Sequence, residues 1–223
     1  MAHDRPSNRT ANPRRMSRRT DERPWLLIFF GALGLGGCAA LILGMLIAPI
    51  YVANHDWIAD TISELAAREW QLGTDVALYG FAAGLMATAL SAAHAHLGKV
   101  GWTAGVISLA VLAGLVLIIG ARAEYGDNEG VVIHMYVVYT MGALFLLVSA
   151  AMQSGLRVSG HRHAGRWLIG LGAGWAVMLP VFRMSPTWIE GLLEPILGLL
   201  ACGMIAVLSL VFLQRGLRGA KKG

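Results

Sequence analysis

Three ionisable residues lie within long apolar runs of this chain, His134, Arg183 and Glu194. Each stands about one helical turn inside the boundary of its run. A charge at membrane depth is costly, so such groups are by default internal partners or parts of a functional site. Asp60, Ser63 and Glu64 add hydroxyl and carboxylate chemistry in the polar stretch "HDWIADTISELAAREWQLGTD", which separates the first two runs. Brought to one level, these six side chains would make a pocket for a cation, a polar headgroup or a small solute. The plainer account pairs Arg183 with Glu194 across the turn "MSPTWIEG", with the long arginine reaching back to the surface. It leaves His134 unused.

The elements that must hold these groups follow from composition. With 56% hydrophobic and 14% charged residues in 223, and a mean hydropathy of +0.60, the chain is too apolar for an ordinary soluble domain. A bilayer crossing takes about 20 mostly apolar residues. Six such runs are readable: Trp25–Val52, Val76–Ala93, Gly101–Ala121, Val131–Gln153, Trp167–Trp188 and Gly191–Leu213. The runs are continuous rather than alternating, which favours helices over a barrel. The expected fold is an all-α integral membrane bundle of six transmembrane helices, residues 25–215. Residues 1–24 and 216–223 are expected to be basic tails, the first disordered.

Between the first two spans, "TISE" (Thr61 to Glu64) fits a helix-capping box. Ile58, Ile62, Leu65 and Leu72 fall on one side of a helical projection, with Asp60, Ser63 and Glu64 on the other. Glu69 interrupts the apolar side. This predicts a short outer interfacial helix, with Trp57 and Trp70 at headgroup depth; a solvated, capped linker helix is the alternative. Asp75 is expected to cap the second span, and Asn128 or Glu129 the fourth.

Other patterns carry less chemistry. His94 with His96 and His161 with His163 are spaced so that a helix would point them apart, and no metal site is expected there. Cys38 and Cys202 fall inside spans and support neither a disulfide framework nor a four-cysteine zinc site. The glycine clusters follow no strand, so they are not phosphate loops; Gly36, Ala40 and Gly44 read as a close helix-packing face. No cofactor is implied. "LGGC" resembles a lipoprotein cleavage site and the N-terminal arginines a twin-arginine signal, but the apolar run continues to Pro49, too long for a secretory signal.

Eighteen Lys and Arg against thirteen Asp and Glu leave a net charge of +5. Fifteen of those eighteen cations fall at one end of the predicted bundle, leaving Arg68, Arg122 and Arg183 at the other. Such segregation predicts both termini in the cytoplasm. The basic tails suit anionic lipid headgroups rather than nucleic acid.

Several motifs resemble a prokaryotic membrane family catalogued as domain of unknown function 998. They are "DTISEL" after the first span, "LYGFAAG" in the second, "HMYVVYTMGALF" opening the fourth and "WIEGLLEPI" before the last. The resemblance covers nearly all of residues 25–215. It departs where Pro195 stands in place of an expected Arg and Ala66 in place of a frequent Gly. It implies a six-helix bundle in the prokaryotic cytoplasmic membrane and carries no established activity.

Three function classes fit. The first is a non-enzymatic membrane protein that binds or moves a lipid headgroup, ion or small solute at an outward-facing pocket of Asp60, Ser63, Glu64, His134, Arg183 and Glu194. The second is a metal-dependent hydrolase acting on lipid amides or esters, similar in spirit to the membrane ceramidases. It is short of ligands, with only His55 and His134 as outer imidazoles. The third is a structural or assembly subunit that packs against another membrane protein or a second copy of itself. The residues favour the first.

Overall fold

No water is present in a bilayer core to take up backbone N–H and C=O groups, so an apolar run must satisfy them within itself. The computed structural model, which describes residues 22–51, 56, 58, 71–122 and 130–221, answers with helices and no strand among those residues. They are α1 (Pro24–Tyr51), α2 (Gln71–Ala95), α3 (Val100–Arg122), α4 (Gly130–Val158), α5 (Arg162–Met184) and α6 (Glu190–Ala220), with a 3₁₀ turn at Thr187–Ile189 before α6. All six are long and apolar enough to cross a membrane. The chain has the architecture of a multi-pass membrane protein.

The helices run past several of the expected boundaries. α4 continues to Val158 and α5 begins at Arg162, so Arg157, Arg162 and Arg166 stand on helices rather than in a loop. The three-residue turn between them is a Schellman cap. His161 N–H bonds the Leu156 carbonyl at 2.8 Å and Gly160 N–H the Arg157 carbonyl at 3.3 Å. Gly160 takes the left-handed conformation this needs, at φ 91°. α6 likewise runs through residues 216–220, expected to be tail. α5 stops early, at Met184, because Ser185 precedes Pro186 and is held extended at ψ 149°.

Each helix packs on its sequence neighbour, α6 closes the ring against α1, and α2 also touches α6. The tightest seam runs along α1. A Cβ added to Gly37 would stand 2.7 Å from both the Gly80 carbonyl oxygen and Gly84 Cα, and one added to Gly31 only 2.9 Å from the Leu213 amide nitrogen. Gly36 faces away and a Cβ there would meet nothing within 4 Å. The packing face is therefore Gly34, Gly37, Ala40 and Gly44, and the sequence reading was one residue off at Gly36. Thr88 and Ser209 cross this seam with a hydroxyl pair at 3.0 Å, the kind of interhelical bond that lipid favours.

At the end carrying both termini, Trp102 ties α3 to α2, α4 and α6. Its Nε1–H donates to the Ala92 carbonyl at 2.8 Å, and its ring meets Phe212 edge-on at 6.3 Å. Gly155 leaves room for it, since a Cβ there would come within 2.6 Å of the indole. Glu22 accepts two bonds from the Arg215 guanidinium, at 2.8 and 2.7 Å, and Arg23 N–H donates to His94 Nε2 at 2.8 Å. The last residues of the expected N-terminal tail are thus fixed to α6 and α2.

Two substitutions one residue apart test the seam. Gly37→Ala is expected to destabilise by about 1–3 kcal/mol through backbone overpacking, whereas Gly36→Ala is expected to be neutral or slightly stabilising. Thermal melts of the two detergent-purified variants would compare them. Equal behaviour would mean that α1 packs in another register.

Candidate functional site

The end of the bundle away from the termini gathers the starts of α2, α4 and α6 and the ends of α1, α3 and α5. Two polar side chains are buried there. Thr74 and Asp75, four and five residues into α2 as described, are buried at 3% and 8% exposure. A carboxylate that deep within a spanning helix is costly and requires partners. Tyr51, Asp56, Thr74, Asp75, Tyr79 and Glu194 each take part in a polar, ionic or ring interaction.

Asp75 was expected to cap α2. The helix already begins by Gln71, so the carboxylate belongs to the helix interior, beyond the reach of a capping role. Its sequence context, "GTD", is a good helix start, and only the earlier entry into helix turns the residue inward. Two residues on, Ala77 meets the Gly44 position of α1, and four residues after Glu194, Gly198 lies against Met45 of α1. Asp75 and Glu194 therefore lie beyond two contacts that α1 makes through adjacent residues, towards its Tyr51 end.

Arg183, the penultimate residue of α5, occupies the other side. It is nearer the helix end than expected, where a cation complements the helix dipole. Its Nε–H donates to the Tyr139 hydroxyl of α4 at 2.7 Å, and among the described residues its guanidinium makes no other hydrogen bond. A planar fork held by one edge leaves the other for a carboxylate or phosphate. Tyr139 was not among the expected site residues, although it stands in the same "HMYVVYTM" stretch as His134.

The segment between α1 and α2 reaches this end too. Ile58 N–H donates to Asp56 Oδ1 at 2.9 Å, a local turn. The Ile58 carbonyl accepts the Leu192 N–H at 3.2 Å, satisfying an amide of the first turn of α6 that has no helical partner. Asp60, Ser63, Glu64 and the interfacial helix lie outside the described residues, as do Asn128 and Glu129. His134 is the fifth residue of α4, its side chain outside the described set. The structure thus joins Arg183 to Tyr139, and places Glu194 and the newly evident Asp75 at the same end.

Among the described residues no three His, Cys, Asp or Glu side chains come together as metal ligands do. Cys38 and Cys202, 164 residues apart, meet across α1 and α6, the Cys38 thiol 3.5 Å from the Cys202 carbonyl. Both are buried free thiols. Comparison with protein-family models, with curated proteins and with solved structures finds no match.

At the opposite end, His161 sits in the α4–α5 turn with Nδ1 3.3 Å from the Ser159 hydroxyl. Burial, then the positive charges of Arg215 and Arg218, lower its pKa below the ordinary 6.5. The unfolded chain then binds more protons than the folded one in this window. Stability from this group is complete above about 6.5 and is lost as pH falls through that value towards the lowered one. His161→Gln is expected to flatten the fall of the melting temperature as pH drops below about 6.5; an unchanged slope would assign the acid sensitivity elsewhere.

Proposed function

We propose that this is a non-enzymatic multi-pass membrane protein that binds, and in a transport version moves, a polar ligand at the end away from its termini. The ligand class is a lipid headgroup, an ion or a small solute. The observation that carries this is the buried Asp75 in a spanning helix, at the end of the bundle that also bears Glu194 and the Tyr139-oriented Arg183. Two carboxylates and a guanidinium at one end are the charges that a cation and an anion would respectively call for. A zwitterionic headgroup suits both.

This end is read as outward-facing. Lys99, Arg157, Arg162, Arg166, Arg215, Arg218 and Lys221 all lie at the other end, close to the turns or termini, which supports cytoplasmic termini. The motif resemblance to the prokaryotic membrane family supports placement in a cytoplasmic membrane with lipid as the natural partner. A green-fluorescent-protein fusion after Gly223 is expected to fluoresce in bacterial cells. A dark fusion paired with an active periplasmic phosphatase fusion would reverse the orientation.

Thermal stabilisation of the detergent-purified chain by glycerophosphoethanolamine, glycerol phosphate and monovalent and divalent cations would test the pocket. Protection by one of these is expected to weaken about tenfold or more in Asp75→Asn or Arg183→Gln, as loss of a charge-assisted contact implies. Protection that survives both substitutions would remove these residues from the site. The metal-dependent hydrolase remains the second reading, resting on His134, Glu64 and the rest of the 55–75 segment. Stoichiometric zinc in wild type that is lost from folded His134→Ala and Glu64→Ala would favour it instead.

A further inference from the structure

A groove of about 530 Å³ opens at the terminus-bearing end, between the α4–α5 turn with the start of α5 and the last turns of α6. Its volume lies within the range of about 300–1,000 Å³ usual for small-molecule sites. The lining divides into two zones along the bundle. Towards the end of the bundle are Arg162, His163, Gln214 and Arg218; towards the membrane interior the wall is apolar, with Leu210 and Trp167.

The cationic zone is available to a ligand. Arg215, the neighbouring cation on α6, is taken up by the two bonds to Glu22, whereas Arg162 and Arg218 are exposed and make no ion pair among the described residues. No acidic side chain is among the residues that line the groove. The apolar zone is exposed as well, with Trp167 at 67% and Leu210 at 43%. In a spanning bundle such side chains face acyl chains, and a tryptophan at a span end lies at headgroup depth.

We propose that this groove is a binding site for an anionic phospholipid, its phosphate held by Arg162, Arg218 and Gln214 and one acyl chain lying on Trp167 and Leu210. Charge selects the lipid. Two exposed guanidinium groups beside an apolar wall complement a molecule with a negative head and a hydrocarbon tail, and a neutral phospholipid leaves the cations without a net counter-charge. The uncapped start of α5 adds backbone N–H groups on the same side. None of these residues belongs to the proposed pocket at the other end, so either site can fail without the other.

The full-length chain in nanodiscs of equal phosphatidylglycerol and phosphatidylcholine provides the test, with the lipid retained on release measured by native mass spectrometry. Wild type is expected to retain one phosphatidylglycerol per chain in preference to phosphatidylcholine. Arg162→Gln with Arg218→Gln should weaken that retention about tenfold or more, as loss of two interfacial cations implies. Arg166→Gln with Lys221→Gln, which removes the same charge outside the groove, should retain it. Equal retention of the two lipids, or equal loss in both double variants, would overturn the proposal. So would full occupancy of the groove by inorganic phosphate in detergent without lipid, read as protection that the first double variant abolishes. Melting of each variant establishes that it is folded, and Trp167→Ala, which spares both arginines, should lower retention of phosphatidylglycerol independently.

Discussion

Apolar side chains gain little by leaving lipid for one another, so this bundle depends on how closely its backbones approach. The decisive contact is between α1 and α2, where Gly37 and Gly84 meet with no room for a Cβ on either. That proximity brings dispersion contacts and weak backbone polar contacts that larger residues would forfeit. It also permits the rest of the seam. With α1 drawn this near, Gly34 abuts Thr88 and Ser209, Cys38 reaches Cys202, and α6 can lie against both α1 and α2.

The two ends of the ring are built differently. At the terminus-bearing end, the structure is fixed by bonds that satisfy the ends of helices: the Schellman turn at Gly160, the Trp102 indole on the Ala92 carbonyl, and Glu22 on Arg215. Among the described residues its remaining lysines and arginines are exposed at the rim. At the other end, polar groups enter the bundle itself. Thr74 and Asp75 are buried, and the chain before α2 supplies a carbonyl to the first turn of α6. An arrangement that costs desolvation is the stronger sign of a site, because packing alone has no use for it.

The helical class, the six spans and the charge asymmetry were legible in the sequence, since each follows from run length, composition and local position. Boundaries were not, and their errors had chemical consequences. Reading the second span from Val76 made Asp75 a cap, and the true helix turns it inside. Reading the fourth span to Gln153 put Arg157 and Arg162 in a loop, and the longer helices set Arg162 beside the last turns of α6. In the Gly36, Ala40 and Gly44 pattern only the first position was misplaced, since Ala40 and Gly44 do pack and Gly37 takes the place of Gly36.

What the sequence determined by itself is what the bilayer enforces residue by residue: apolar runs long enough to span must coil, and cations collect at alternate turns. Only the tertiary structure decided which face of α1 is buried, that Arg183 bonds Tyr139, and that two cysteines 164 residues apart touch. The reason is physical. Spanning and charge placement are set by the solvent on each side, whereas contacts between helices depend on the rotation and depth of each against its neighbours. In a chain whose lipid-facing and buried surfaces are equally apolar, hydrophobicity leaves no mark of either.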